Sequence, residues 1–249
     1  MPTSEIHQSQ PGSSRTFSPG ERLLQACGIV VSVALIAAGQ LSPDPPSHGS
    51  PDDQVVAFYR QHTGGISTGA FLWDIAMMAL ILFSSALRRV CESPAPERPA
   101  VESRSSARSL VAAELLPLFS AVTAALFIVS QAIEAAAGVI AMHSSAISNI
   151  RALDEASHLT AHLGTLPLGC LILCAGLAQK ATRASAVWIA WLGLVAGTTL
   201  IVTTSWIAIG QQRIHDAGVI GLVLFLLWSV SSSISLLRKK SLAQGEKYA

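Results

Sequence analysis

Six apolar runs, each close to the length a helix needs to cross a bilayer, constrain this 249-residue chain more than any other feature. A hydrocarbon core about 30 Å thick takes about 20 helical residues. The runs fall at about 23–41, 66–87, 110–133, 159–178, 185–207 and 217–237, each with few or no charges. Lipid offers no partner for open backbone N–H and C=O groups, so each run is predicted to be helical. The expected fold class is all-α, an integral membrane bundle of six helices. Composition agrees, with only 12% charged residues against roughly 25% in soluble domains. So few ionic groups cannot cover a water-facing exterior. A formal net charge of +1 gives no electrostatic case for nucleic acid, which leaves the lipid bilayer as the expected partner.

Orientation follows from the placement of Lys and Arg. Arg15 and Arg22 precede the first run, and Arg88, Arg89, Arg98, Arg104 and Arg108 lie between the second and third. Lys180 and Arg183 join the fourth to the fifth, and Arg238, Lys239, Lys240 and Lys247 follow the last. Those thirteen share one side, and Arg60, Arg151 and Arg213 take the other. The expected topology has both termini in the cytoplasm and the chain in the plasma membrane.

Residues 1–22, rich in Ser, Pro, Gln and Gly, are expected to form a disordered cytoplasmic tail, and 239–249 a basic one. The first run is longer than a signal core and follows Glu5 and Glu21, so it is expected to stay as the first span of a membrane domain over 23–238. The linker SPAPERPAVESRSSAR is polar and rich in Pro and Ser. Ser50-Pro51-Asp52-Asp53 combines a cap, a first-turn proline and acids at the positive end of the helix dipole. Val55, Phe58 and Tyr59 follow on one face and Gly64-Gly65 closes the segment. The expectation is a short amphipathic helix over 51–62 at the outer membrane surface.

Pro117 and Pro167 each remove a backbone bond inside a span and are expected to bend it. Gly193 and Gly197 permit close packing within the bundle. Trp188, Trp191 and Trp206 fit interfacial anchors, whereas Trp73 and Trp228 lie deeper and fill the core. Cys27, Cys91, Cys170 and Cys174 fall in no segment placed outside. They are expected to be packing thiols, not a disulfide framework.

The chemically informative pattern is histidine. His48, His62, His143, His158, His162 and His215, six of the seven, fall at or near the expected outer face, with Asp74, Glu134, Asp154, Glu155 and Asp216. Asp74 lies about 12 Å into the second span at 1.5 Å per residue. Glu134 closes the third span, and His158 and His162 share a face at the start of the fourth. Ionisable groups at such depth normally face the bundle interior or a wet cavity. Glu114, near the inner end of the third span, reads as an interfacial carboxylate. The expected site is an outward-facing polar pocket of Asp74, Glu134, His158 and His162.

Three chemistries fit that pocket. The plainest is hydrogen bonding between helices. The second is a proton or ion relay through Asp74 and Glu134. The third is a metal site, zinc or another transition metal, on His158, His162 and Glu134, because His at i and i+4 puts two imidazoles on one face. An open position on such a metal would support hydrolysis. HLTAH lacks the glutamate of a zincin helix, and the metal reading is the least favoured.

Three stretches carry a family likeness: QVVAFYRQHTGGISTGAFLWDIAMMALILFSSALRR, ALDEASHLTAHLGTLPLGCLILCAGLA and WIAWLGLVAGTTLIV. In them the chain resembles a broad group of bacterial six-helix membrane proteins of unknown function. The resemblance implies a multi-pass inner-membrane protein and carries no catalytic residues. The HxxxH pair also invites comparison with ceramidase-type membrane zinc hydrolases, but the earlier intramembrane histidine and the seventh span of that group are missing. The expected function is binding or transport of a small ligand or proton through the outer pocket. The alternatives are a metal-dependent membrane hydrolase using His158 and His162, and a structural or accessory membrane subunit.

Overall fold

The computed structural model describes residues 19–43, 46, 50–92, 103–143, 147–207 and 215–245. Apolar runs that must satisfy their own backbone become helices, and among the described residues all regular structure is helical. The elements are α1 (Pro19–Leu41), α2 (Asp52–Glu92), α3 (Ser103–His143), α4 (Ile147–Thr182), α5 (Val187–Ile207) and α6 (His215–Gly245). All six are long and apolar enough to cross a membrane, the architecture of a multi-pass membrane protein. Each helix packs on the next, α6 returns to α1, and α2 also meets α4 across the ring.

Small residues set how closely the helices approach. A Cβ at Gly197 of α5 would lie 2.7 Å from the carbonyl oxygen of Gly169 in α4, so this pair lets two backbones touch. Gly193, one turn away, leaves room for the Trp228 indole of α6. The expected Gly193/Gly197 face therefore serves packing inside the bundle. The chain turns from α4 into α5 at Arg183, which adopts a left-handed φ of 52°. There Ala184 N–H bonds back to Gln179 O at 3.2 Å, a Schellman-type ending. Around the ring centre Met77, Leu80, Phe83, Leu116, Leu171, Phe225 and Trp228 form the main core. Trp188 and Trp191 are exposed at the start of α5, where Lys180 Nζ lies 4.0 Å over the Trp191 ring.

Along α4 an exposed apolar stripe has about the length of a membrane crossing. Its exposed leucines, Leu159, Leu163, Leu166 and Leu177, run over a length of about 27 Å at 1.5 Å per residue, close to one hydrocarbon thickness. Residues 147–158 extend beyond that stripe. α2, with 41 residues, is about 60 Å long, about twice a hydrocarbon thickness. Arg88, Arg89, Lys180 and Arg183 gather at one end of the bundle, here the basic end. The acidic end, opposite, holds the start of α2, the end of α3 and the start of α4. There the projecting helices have a small core of their own, with Val55, Val56, Tyr59 and Ile66 against Ala137, Ala141 and Ile150.

Several boundaries differ from expectation. The stretch 51–62 is helical from Asp52, but the helix continues through Gly64 and Gly65 into the span. Gly65 and Gly69 instead receive the end of α1, since a Cβ at either would run into Leu41 or Ser42. Helix start falls one residue later than Ser50 implied. Pro51 O accepts the first bonds, from Gln54 and Val55 at 3.0 and 3.3 Å, and Ser50 O receives Arg151. Both α3 and α4 run through their prolines, Pro117 and Pro167. Of the expected tails, 1–18 and 246–249 lie outside the described residues, as do His48, Arg213 and residues 93–102 of the linker, while 19–22, 103–108 and 239–245 continue the adjoining helices.

Candidate functional site

Three helices meet at the acidic end around one carboxylate. Tyr59 of α2 is almost fully buried, held by the small projecting core. Its hydroxyl donates to Asp154 Oδ1 of α4 at 2.7 Å, in the interior. Asp154 is followed one turn later by His158, whose Nε2 lies 3.5 Å from the same Oδ1. From α3, Glu134 lies within electrostatic range of Tyr59, Asp154 and His158. Spacing explains why these side chains coincide. Positions 154 and 158 stack on one helix face, and α3 presents Ala137, Gly138 and Ala141 to α2. A Cβ at Gly138 would stand 3.2 Å from the Thr63 methyl, so α2 comes close enough for Tyr59 to reach α4.

The rim is fastened by arginine. Arg151 NH1 donates to Asp52 Oδ1 at 2.6 Å and to Ser50 O at 2.9 Å, and its Nε reaches Glu155 at 3.3 Å. Arg60 Nε donates to Ala141 O at 2.6 Å. These contacts tie the first turns of α2 to α3 and α4. His62 stays on its own helix, its ring tilted against Phe58 at 4.9 Å between centroids, with Nδ1 2.9 Å from Phe58 O.

Tyr59 and His158 lie beyond the exposed apolar stripe. Burial first, and then the Asp154 carboxylate, push the Tyr59 phenol far up, so it remains a neutral donor. For His158, the contact with Asp154 holds the imidazole above its ordinary range against the opposing effect of burial, and Glu134 adds to the upward push. The imidazole is 37% exposed and the carboxylate 11%, so the pair opens to the surface through the imidazole.

Of the residues expected to form one pocket, Glu134 and His158 belong to this group. His162 is one turn further into the bundle from His158, half-buried, with its carbonyl accepting from Thr165 Oγ1 at 2.7 Å. Asp74 stands 15 residues past Tyr59 on α2, about 22 Å along the helix. It adjoins Trp73, which stacks on Phe127 at 5.1 Å, and its Oδ1 is buried without a hydrogen-bond partner. Among the described residues no three His, Cys, Asp or Glu side chains come together as a metal ion requires. A groove of about 300 Å³ between α1 and α2 is lined by Ile29, Val30, Val33, Ala34, Ala37 and Leu72, and offers no polar group.

Two residues of the group were less visible in the sequence. Asp154 counted there as one of several outer carboxylates, although its i, i+4 relation to His158 is a readable signal. Tyr59 looked like an apolar-face aromatic, and nothing local marks its hydroxyl as the partner of a residue 95 positions away. No family model, curated protein or solved structure matches the chain.

Proposed function

We propose that this multi-pass protein lies in the plasma membrane with both termini cytoplasmic, and binds a proton or small cation at the outer, acidic end. The observation that carries the reading is the buried Tyr59–Asp154 hydrogen bond with His158 and Glu134 around it. A carboxylate that is buried, paired with a neutral phenol and faced by a titratable imidazole has charge to share with an incoming cation. Asp74 and His162 lie deeper on the same helices, where a bound species would next meet polar groups. Thirteen of the sixteen Lys and Arg on the opposite side support the orientation.

The test is thermal unfolding of detergent-purified protein between about pH 5 and 8, with sodium, potassium and a small organic amine as probes. Wild type should respond to pH or to one of the cations, and Glu134→Gln and Asp154→Asn should lose that response. Identical curves for all three proteins would end the binding reading. Orientation is checked separately with an impermeant maleimide on intact cells in a cysteine-free background. His143→Cys should label directly, and Arg183→Cys only after permeabilisation.

A further inference from the structure

At successive turns α3 carries Ser120, Thr123, Phe127, Ser130 and Glu134, and the first four are buried. Four polar groups in five inward positions are unusual for a span, where packing is normally apolar or small. Hydrogen bonding divides the row in two. Toward the acidic end, Ser130 Oγ donates to Ser157 O at 2.9 Å and Ser157 Oγ to Ser130 O at 3.2 Å, joining α3 to α4. Toward the basic end, Ser84 Oγ of α2 donates to Ser120 Oγ at 2.8 Å, and Ser120 to Pro117 O at 2.9 Å.

Between these pairs, Thr123 Oγ1 has no hydrogen-bond partner, and the residue is fully buried. Thr160, Thr182 and Thr199 each return the hydroxyl to the carbonyl one turn back, the usual refuge of a threonine in a helix. Thr123 does not. Phe127 separates the halves, stacked on Trp73 and backed by Gly164 of α4, where an added Cβ would stand 3.1 Å from the ring.

We propose that this row is a proton path through the bundle, closed by the Phe127–Trp73 stack and supplied at the acidic end by Glu134. The proposal rests on the reading of the Glu134 group as a proton site. Neighbouring polar residues on either side of Phe127 are three or four positions apart, about 4.5–6 Å of helix rise. One water, with two hydrogen bonds of about 2.8 Å, bridges such a gap. Thr123 is the hydroxyl that calls for that water. From Thr123 to Ser130 the rise is about 10 Å, too long for one water while the rings fill the space.

Displacing the phenyl joins the two chains of oxygens. Each oxygen then takes a proton on one side and releases its own on the other, so no covalent bond is exchanged overall and no oxidant is needed. Glu134 is faced by Asp154 and His158 of α4 and by Tyr59 of α2, the groups that set when it holds a proton. Beyond Ser84, Gln25 Oε1 and Ser233 Oγ are again buried without partners, and Gln25 sits one turn from the exposed Arg22. They offer the way out at the basic end.

The experiment is proton flux into liposomes that contain the full chain and a pH-sensitive dye, driven by a valinomycin-clamped potassium potential. Wild type should be nearly tight. Phe127→Ala should leak several-fold faster, with Thr123→Val in that background returning the leak toward the level of empty liposomes. Phe127→Leu, which keeps apolar volume but removes the stack, should leak to an intermediate degree and covers the case in which the alanine variant does not fold. If no folded Phe127 variant leaks more than wild type, or if Thr123→Val leaves the leak unchanged, the path is wrong. A pH response in unfolding that Glu134→Gln removes, without any flux, would overturn the path while the binding site stands. A Thr123-dependent leak indifferent to Glu134→Gln would remove Glu134 as the supply.

Discussion

The acidic end and the membrane-spanning interior bury polar side chains in opposite ways. At the acidic end the polar groups are ionisable and partnered: buried Tyr59 with buried Asp154, part-exposed His158 beside the same carboxylate, and Arg151 across the rim. In the span the groups are mostly neutral and only partly matched. Ser84 meets Ser120, and Trp228 Nε1 donates to Gln179 Oε1 at 3.3 Å while Gln179 Nε2 reaches Ser232 at 3.2 Å. Yet Gln25, Asp74, Thr123 and Ser233 each keep a buried atom without a partner. Ionisable groups concentrate where water lies close enough to reduce their cost, and in the span, Asp74 apart, the buried polar groups are hydroxyls and amides. Unmatched hydroxyls in such a place are either strain or a place for water.

The largest expected effect sets the two regions directly against each other. Trp228→Ala empties a fully buried site packed against Gly193 and Phe83. It should cost about 3 kcal/mol, the low end for such a change because lipid replaces water outside the bundle. Tyr59→Phe keeps the ring and removes one hydroxyl, leaving Asp154 short of a donor, and should cost about 1–3 kcal/mol. Denaturant or thermal unfolding in one detergent compares them. If Tyr59→Phe proves harmless, the acidic end is held by packing, and its hydrogen bond sets only chemistry.

A smaller contrast lies within α3. Ser120→Ala breaks a buried bond to Ser84 and should cost about 1 kcal/mol, whereas Thr123→Val removes a hydroxyl without a protein partner and should be neutral or slightly stabilising. Equal losses in unfolding experiments would show that Thr123 has a structural role after all.

The smallest effect is pH dependence at His158. Its folded-state value is raised, so its stabilising contribution is fully present below the unfolded value of about 6.5 and is lost as pH rises through the folded value. Wild type should therefore lose some stability on going from mildly acidic to mildly alkaline solution, and His158→Gln should flatten that slope. An unchanged slope in the variant would move the titration to another group.

Periodicity and charge placement by themselves determined the helical class, the six spans and the placement of Glu134 and His158 near one level. That legibility has a physical basis, because lipid forbids unpaired backbone and a span has a required length. Position within the sixth run also marked Trp228 as interior. What only the tertiary structure decided is which side chains meet. Gly64-Gly65 read as a stop because glycine weakens helices in water, yet the end of α1 packs against that segment and the helix runs on. Tyr59 and Asp154 came together across 95 residues because α3 offers Ala137, Gly138 and Ala141 at their crossing. Asp74 and the Glu134 group share an ionisable character but occupy different depths. Helix rise makes depth readable from sequence, whereas the face each helix turns to its neighbours depends on how all six pack.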